Sequence, residues 1–106
     1  MIYFSHLATI TGGKNLLFKQ DYPIETLSID SRKISSDKGI LFLAIKGDRH
    51  DGHDYLNDLY HKGIHQFIVE DPAVNTSDFP NANILLVSST VEALQKLAEF
   101  HRKKFS

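Results

Sequence analysis

The chain has 106 residues, 42% of them hydrophobic and 24% charged, with a formal net charge of -1; this suits one domain with a modest core and excludes a disordered tract. So small a charge exerts no long-range pull on nucleic acid or an anionic membrane, which makes any anion site a local one. The lack of cysteine removes disulfide scaffolds and thiolate chemistry, no apolar run approaches the ~20 residues that span a bilayer, and the N-terminal run Met1–His6 has no signal-peptide pattern, so a cytoplasmic protein is expected.

The first predicted element is a short helix. Ser5 can cap it, Phe4 can staple back onto its first turn, Leu7, Ala8 and Ile10 are its apolar positions, and Gly12-Gly13 stops it. Gly13-Lys14 does not form a phosphate loop. That motif needs glycine six residues before the lysine and Ser or Thr after it, and here those places hold Ala8 and Asn15. Asn15–Lys19 reads as a short edge strand and Asp21-Tyr22-Pro23 as a turn.

Thr26–Asp30 alternates apolar and polar residues, the period of a strand with one buried face. Ser35–Gly39 is a turn by composition. Ile40–Ile45 is almost continuously apolar and predicts a central strand covered on both faces. Asp51-Gly52-His53-Asp54 opens a helix with Tyr55, Leu56, Leu59 and Tyr60 on one face, stopped at Gly63. Gln66–Glu70 is the next strand, so Ile40–Val69 forms a strand–helix–strand crossover that favours parallel pairing.

Asp71–Asn83, with Pro72 and Pro80, reads as a surface loop, and Ile84–Val87 as a buried strand. Ser89 and Glu92 form a capping box opening the last helix. Its apolar face comprises Val91, Leu94, Leu97, Ala98 and His101, and Arg102-Lys103-Lys104 at its end offset the helix dipole. The pattern predicts one three-layer α/β sandwich with a small, mostly parallel or mixed sheet.

Polar residues collect where the two central strands end, in Asp30-Ser31-Arg32-Lys33 and in Lys46-Gly47-Asp48-Arg49-His50-Asp51-Gly52-His53. Strand ends are where open α/β sheets bind ligands. Ser31 and Arg32 can meet a phosphate or a planar amide edge, since a guanidinium is a rigid fork of donors. They can equally form a strand-ending turn with Arg32 solvated. Gly47 and Gly52 allow close backbone approach, and amides at the following helix start suit an anion. Arg49 is offset by Asp48, Asp51 and Asp54, which favours a diphosphate on a larger molecule over a dense phosphate cluster.

Two alternatives compete. His50 and His53, with Asp51 and Asp54, could hold a metal or serve a hydrolytic site, although Gly52 between them interrupts the spacing. A protein-interaction module would use Asp71–Asn83. His61 and His65 read as solvated helix-end residues. Ser31, His53 and an aspartate could be drawn as a triad, but no nucleophile elbow accompanies them.

Asp30-Ser31-Arg32-Lys33, Gly39–Gly47 and Asp51-Gly52-His53-Asp54-Tyr55, followed by Gly63-Ile64, Phe67–Glu70 and Ala93–Ala98 with His101-Arg102, together resemble the N-terminal domain of the Mur ligases. The resemblance is strongest to the MurF type, which joins D-alanyl-D-alanine to UDP-N-acetylmuramoyl-tripeptide. It implies that residues 1–106 are a single domain holding the UDP end of UDP-N-acetylmuramoyl-peptide, as a fragment of a larger ATP-dependent ligase of cell-wall synthesis.

It further implies that Ser31, Arg32, Lys46, Gly47, Asp51, Gly52 and His53 line or support the UDP pocket. It implies no catalytic residue, metal or cofactor here; ATP and magnesium belong to the full-length ligase, in the ATPase domain that, with the C-terminal domain, would partner this one. The MurE type, which adds the third peptide residue, has a very similar first domain. In one branch of the MurF family the ligase is fused to an alanine racemase.

Overall fold

The computed structural model describes residues 2–33 and 39–105. A five-stranded sheet forms the middle layer. Its strands are β2 (Lys14–Leu17), β4 (Thr26–Ser28), β5 (Ile40–Leu43), β6 (Gln66–Val69) and β7 (Asn83–Leu86), in the order β2-β7-β6-β5-β4. Strands β4 to β7 are parallel, and β2 joins β7 antiparallel at the edge. The expected mixed sheet, with the edge strand β2 where the sequence placed it, is therefore present, but β4, expected at the centre, forms the opposite edge and pairs with β5 alone.

Alternation along each strand sorts the core into two halves, because successive side chains leave a strand on opposite faces. Ile40, Phe42, Ala44, Phe67, Val69 and Ile84 face α2 (Leu56–His61) through Leu56 and Leu59. Leu41, Leu43, Ile68 and Leu85 face the other way. They pack with Leu7 of α1 (Leu7–Thr11) and with Ala93 and Leu97 of α3 (Thr90–Phe105). Helices thus cover both faces, and β5 and β6 are buried at every position, as the apolar runs Ile40–Leu43 and Phe67–Val69 require. Among the described residues no helix is long and apolar enough to cross a membrane.

Most boundaries shift by a residue or two. The predicted strands Thr26–Asp30, Ile40–Ile45 and Gln66–Glu70 end early, at Ser28, Leu43 and Val69, because their last residues bend into loops. A separate two-stranded ribbon, β1 (Ile2–Tyr3) with β3 (Pro23–Ile24), was not legible in so short a pattern. Ser5 does not cap α1: its hydroxyl and amide bind the Asp21 carboxylate at 2.8 and 2.9 Å. Gly12 and Gly63 end α1 and α2 with φ of 78° and 104°, which a side chain would strain.

Ser89 receives the Glu92 amide at 3.2 Å, as a capping residue does. The buried stripe of α3 runs through Thr90, Ala93 and Leu97, whereas Val91 is exposed. The side chains of 101–105 and residues 34–38 lie outside the described residues, and with them the places given to His101, Arg102–Lys104 and most of the Ser35–Gly39 turn.

Asp71–Asn83 is not wholly a surface loop. Phe79 and Ala82 are buried, and the Phe79 ring lies 6.0 Å from Phe67 and 5.5 Å from Tyr60. Asn83, at its end, is buried and pins the distant segment after β2. Its Oδ1 accepts the Lys19 amide at 2.8 Å, and its Nδ2 donates to the Gln20 carbonyl at 2.6 Å.

Candidate functional site

The carboxyl ends of β4 and β5 open into a cleft of about 320 Å³ lined by Ile29, Asp30, Ser31, Arg32, Ile45, His50, Gly52 and Tyr55. One wall continues β4. There Asp30 turns the chain by accepting the Arg32 amide at 2.9 Å and the Arg32 Nε at 3.3 Å, in the manner of an Asx turn. The two sequence readings of this wall both hold in part. Arg32 is solvated, its side chain 88% exposed, yet it and Ser31 line the cleft.

The other wall is the loop after β5. Lys46 and Asp51 pair across it, and the Gly47 amide donates to the His50 carbonyl at 2.8 Å. The Gly52 amide donates back to the Ile45 carbonyl at 2.9 Å. A 3-10 turn, Gly52–Tyr55, follows before α2. Its cap is Asp51, whose Oδ1 accepts the His53 amide at 3.0 Å.

These bonds correct one expectation. The amides of Gly47, Gly52, His53 and Asp54 are all taken up by the loop itself, so the helix start offers none of them to an anion. Of the seven sequence-predicted residues, Ser31, Arg32 and Gly52 line the cleft. Lys46 and Gly47 shape the hairpin behind it, and Asp51 and His53 brace it.

His53 is the best-held of them, with a ring 7% exposed. Its Nδ1 lies 2.6 Å from Asp51 Oδ1, and its Nε2 accepts the amides of Glu70 and Asp71 at 3.1 and 3.3 Å. Amides only donate, so Nε2 carries the lone pair and Nδ1 the proton. Both ring nitrogens are therefore occupied, which leaves neither for a metal nor for a triad with Ser31. Among the described residues no three His, Cys, Asp or Glu side chains group as metal ligands would.

Burial of the Asp51 carboxyl opposes its ionisation, but the His53 amide and ring, with Lys46 nearby, outweigh this and hold it below its ordinary value. A lowered folded-state pKa stabilises the fold at pH above the unfolded value of about 3.9, and that stability is lost as pH falls through the folded value. Asp51→Asn is thus expected to lower the urea midpoint at pH 6, and the gap to the unaltered chain is expected to narrow as the pH falls below about 4. A gap that stays the same across that range would contradict the assignment.

Sequence reasoning missed Ile29, Ile45 and Tyr55 as cleft residues. Tyr55 had been placed on the buried face of a helix; it lies in the 3-10 turn and is 39% exposed. The turn's different rotation per residue is the reason, and no sequence signal separates it from the first turn of an α-helix. His50 had been weighed as a metal ligand, and it lines the cleft.

The chain resembles known proteins in sequence and fold. Residues 23–102 match the family model described as Mur ligase family, catalytic domain. The UDP-N-acetylmuramoyl-tripeptide–D-alanyl-D-alanine ligase of Rickettsia prowazekii is 43% identical over 67 residues, which are 62% of this chain and 14% of that protein. The UDP-N-acetylmuramoyl-L-alanyl-D-glutamate–2,6-diaminopimelate ligase of Clostridioides difficile is 39% identical over 77 residues, 72% of this chain and 14% of that protein. The MurF structure from Thermotoga maritima, in complex with ADP, is 34% identical with a TM-score of 0.60, covering 76% of this chain and 17% of that one. A ligase structure from Acinetobacter baumannii covers 94% of this chain and 21% of that one, at 28% identity and a TM-score of 0.73. The chain thus spans about a fifth or less of the relatives it matches. With the family model matched along most of the chain and the same overall fold found in a solved relative, the chain belongs to the Mur ligase family.

Proposed function

We propose that residues 1–106 form a single uridine-nucleotide-binding domain of a MurF-type ligase, which holds the UDP end of UDP-N-acetylmuramoyl-tripeptide while D-alanyl-D-alanine is added. The supporting observation is the cleft itself. Ile29, Ile45 and Tyr55 offer apolar and aromatic surface to a flat base, and Ser31 and Arg32 offer a hydroxyl and a cation beside it. In this reading Ser31 and Arg32 touch the ligand, Gly52 lies against it, and Lys46, Gly47, Asp51 and His53 support the wall.

ATP and magnesium act in another domain of the full-length ligase, since Gly13-Lys14 here sits at a helix end with no phosphate-loop pattern. That domain and the C-terminal one are the partners in the same chain, in the cytoplasm. A MurE-type ligase, adding the third peptide residue, is the second reading. The diaminopimelate-adding relatives favour it as directly as the others favour MurF, and a ligation assay of the full-length enzyme with each amino-acid substrate separates the two.

The domain by itself is expected to bind UDP weakly and ATP no better than background. Arg32→Ala removes a charge-assisted bond worth roughly 1.5–3 kcal/mol, and so costs about tenfold to a hundredfold in affinity. Arg32→Lys restores part of the loss, because a point charge cannot replace a planar fork. Arg49→Ala costs less, since Arg49 is not among the residues that line the cleft. Amide chemical shifts followed through a UDP titration test all three. Shifts confined to Asp71–Asn83, or an Arg32→Ala protein that binds like the unaltered one, would show the pocket to be elsewhere.

A further inference from the structure

We propose that the neutral, Nδ1-protonated imidazole of His53 is a proton-sensitive latch for the cleft: a proton taken up at Nε2 releases the wall carrying His50, Gly52 and Tyr55 and weakens ligand binding. The proposal rests on the assignment of the cleft as a uridine-nucleotide site, and adds to it a residue that controls the site without touching the ligand. His53 does not line the cleft, yet the residues on either side of it in sequence do.

The ring ties the loop after β5 to the end of β6, just beyond the last sheet bond between these strands, from the Ala44 amide to the Ile68 carbonyl at 2.9 Å. Through Nδ1 it closes on Asp51, whose Oδ1 also receives the His53 amide, so the carboxylate fixes both ring and backbone. Through Nε2 it takes the amides of Glu70 and Asp71, at the point where β6 ends, 17 and 18 residues along the chain. The rest of the loop is open to solvent from Lys46 to His50, which makes the buried ring its anchor.

The latch is asymmetric toward a proton. Nδ1 already carries one, so the next must go to Nε2. The new N–H then points at two N–H donors about 3 Å away, and three donors face one another with no acceptor between them. The ionisable residues on the segments that meet here are Lys46, Asp48, Arg49, His50, Asp51, Asp54 and Tyr55 from the loop and turn, and Glu70 and Asp71 from the end of β6. Most are carboxylates, which favour a cationic ring by charge. The opposition comes from the two amides, so a ring that gains its proton keeps Asp51 and lets go of β6.

A merely structural histidine would affect stability alone; a latch ties ring protonation to the β6 amides and to ligand affinity. The test uses the ¹⁵N-labelled chain between pH 8 and pH 5, followed through the His53 ring nitrogens and the amides of Glu70 and Asp71, with UDP titrated at each end of the range. The Nδ1–H tautomer is expected at pH 8. The two amides are expected to lose their hydrogen-bonded shifts along the same curve as the ring. His53→Gln keeps an acceptor for those amides and cannot take the proton, and protonation of UDP itself is common to both proteins. UDP affinity is therefore expected to fall at least about fivefold more in the unaltered chain than in His53→Gln. An Nε2–H tautomer at pH 8, a ring that stays neutral down to pH 5, a ring that gains its proton without moving the two amides, or the same pH slope in both proteins would overturn the latch. Absence of UDP binding by either protein at pH 8 would instead overturn the ligand assignment, and the ring and amide curves, which need neither ligand nor variant, would still decide whether the latch opens.

Discussion

Phe67→Ala is expected to remove a large part of the chain's stability. Phe67 is fully buried on β6, directly across from Phe42 on β5, with ring centroids 6.4 Å apart, and it meets Phe79 at 6.0 Å. It therefore joins three segments that are far apart in sequence: both central strands and the loop before β7. Truncating a buried phenylalanine costs about 3–5 kcal/mol in lost transfer energy and residual cavity, against a total of about 5–15 kcal/mol for a typical domain. Aromatic contact with both neighbours places this site toward the upper part of the range. Urea unfolding should show the loss as a lower midpoint with little change in slope. Phe67→Leu, which keeps most of the volume, should lose less than half as much. Val91→Ala, on the exposed side of α3, should stay within about 0.5 kcal/mol. A Phe67→Ala loss of less than about 1.5 kcal/mol would mean that the core closes around the gap, and that the aromatic cluster does not hold the sheet to its loop.

Gly52→Ala is the second large effect, and it reaches the cleft as well as the fold. A Cβ on Gly52 would stand 2.8 Å from the Ile45 amide nitrogen and 2.9 Å from Ala44 Cα. Those are backbone atoms at the end of a fully buried strand, so they have no rotamer by which to give way. Overpacking of this kind costs about 1–3 kcal/mol, and the upper part of that range is expected because the Gly52 amide also donates to the Ile45 carbonyl. Relief can come only by lifting the turn off β5, which moves Tyr55 and widens the cleft. UDP affinity is therefore expected to fall along with stability. Gly47→Ala is the internal comparison: its Cβ would meet only the His50 carbonyl oxygen, at 3.2 Å, and it should cost well under 1 kcal/mol. Equal effects at the two glycines would show that the tight approach to β5 does not govern the loop.

That contrast bears on how much of the site could be read from the residues. Gly47 and Gly52 look alike in sequence, two glycines in a polar loop, and both suggested room for a ligand. Gly52 owes its identity chiefly to the strand beneath it, and Gly47 closes a hairpin. Arg32 shows the reverse. Its place after a strand end was legible, and the structure adds that Asp30 holds its Nε while its side chain remains at the cleft.

The sequence by itself determined the layers of this protein. The unbroken apolar run at Ile40–Leu43 dictates a strand buried on both faces, because exposure to water acts on each residue where it stands. The same applies to Gly12 and Gly63 as helix stops and to Ser89 as a cap, each of which works over a few residues of chain. The edge position of Thr26–Ser28 comes from the fold instead. Only the tertiary structure decided what the polar residues do. The His53 ring meets amides 17 and 18 residues away, and Asn83 meets the Lys19 amide 64 residues away. Histidine and asparagine can each bond to many partners, and which partner they take depends on which segments the folded sheet brings within hydrogen-bonding reach.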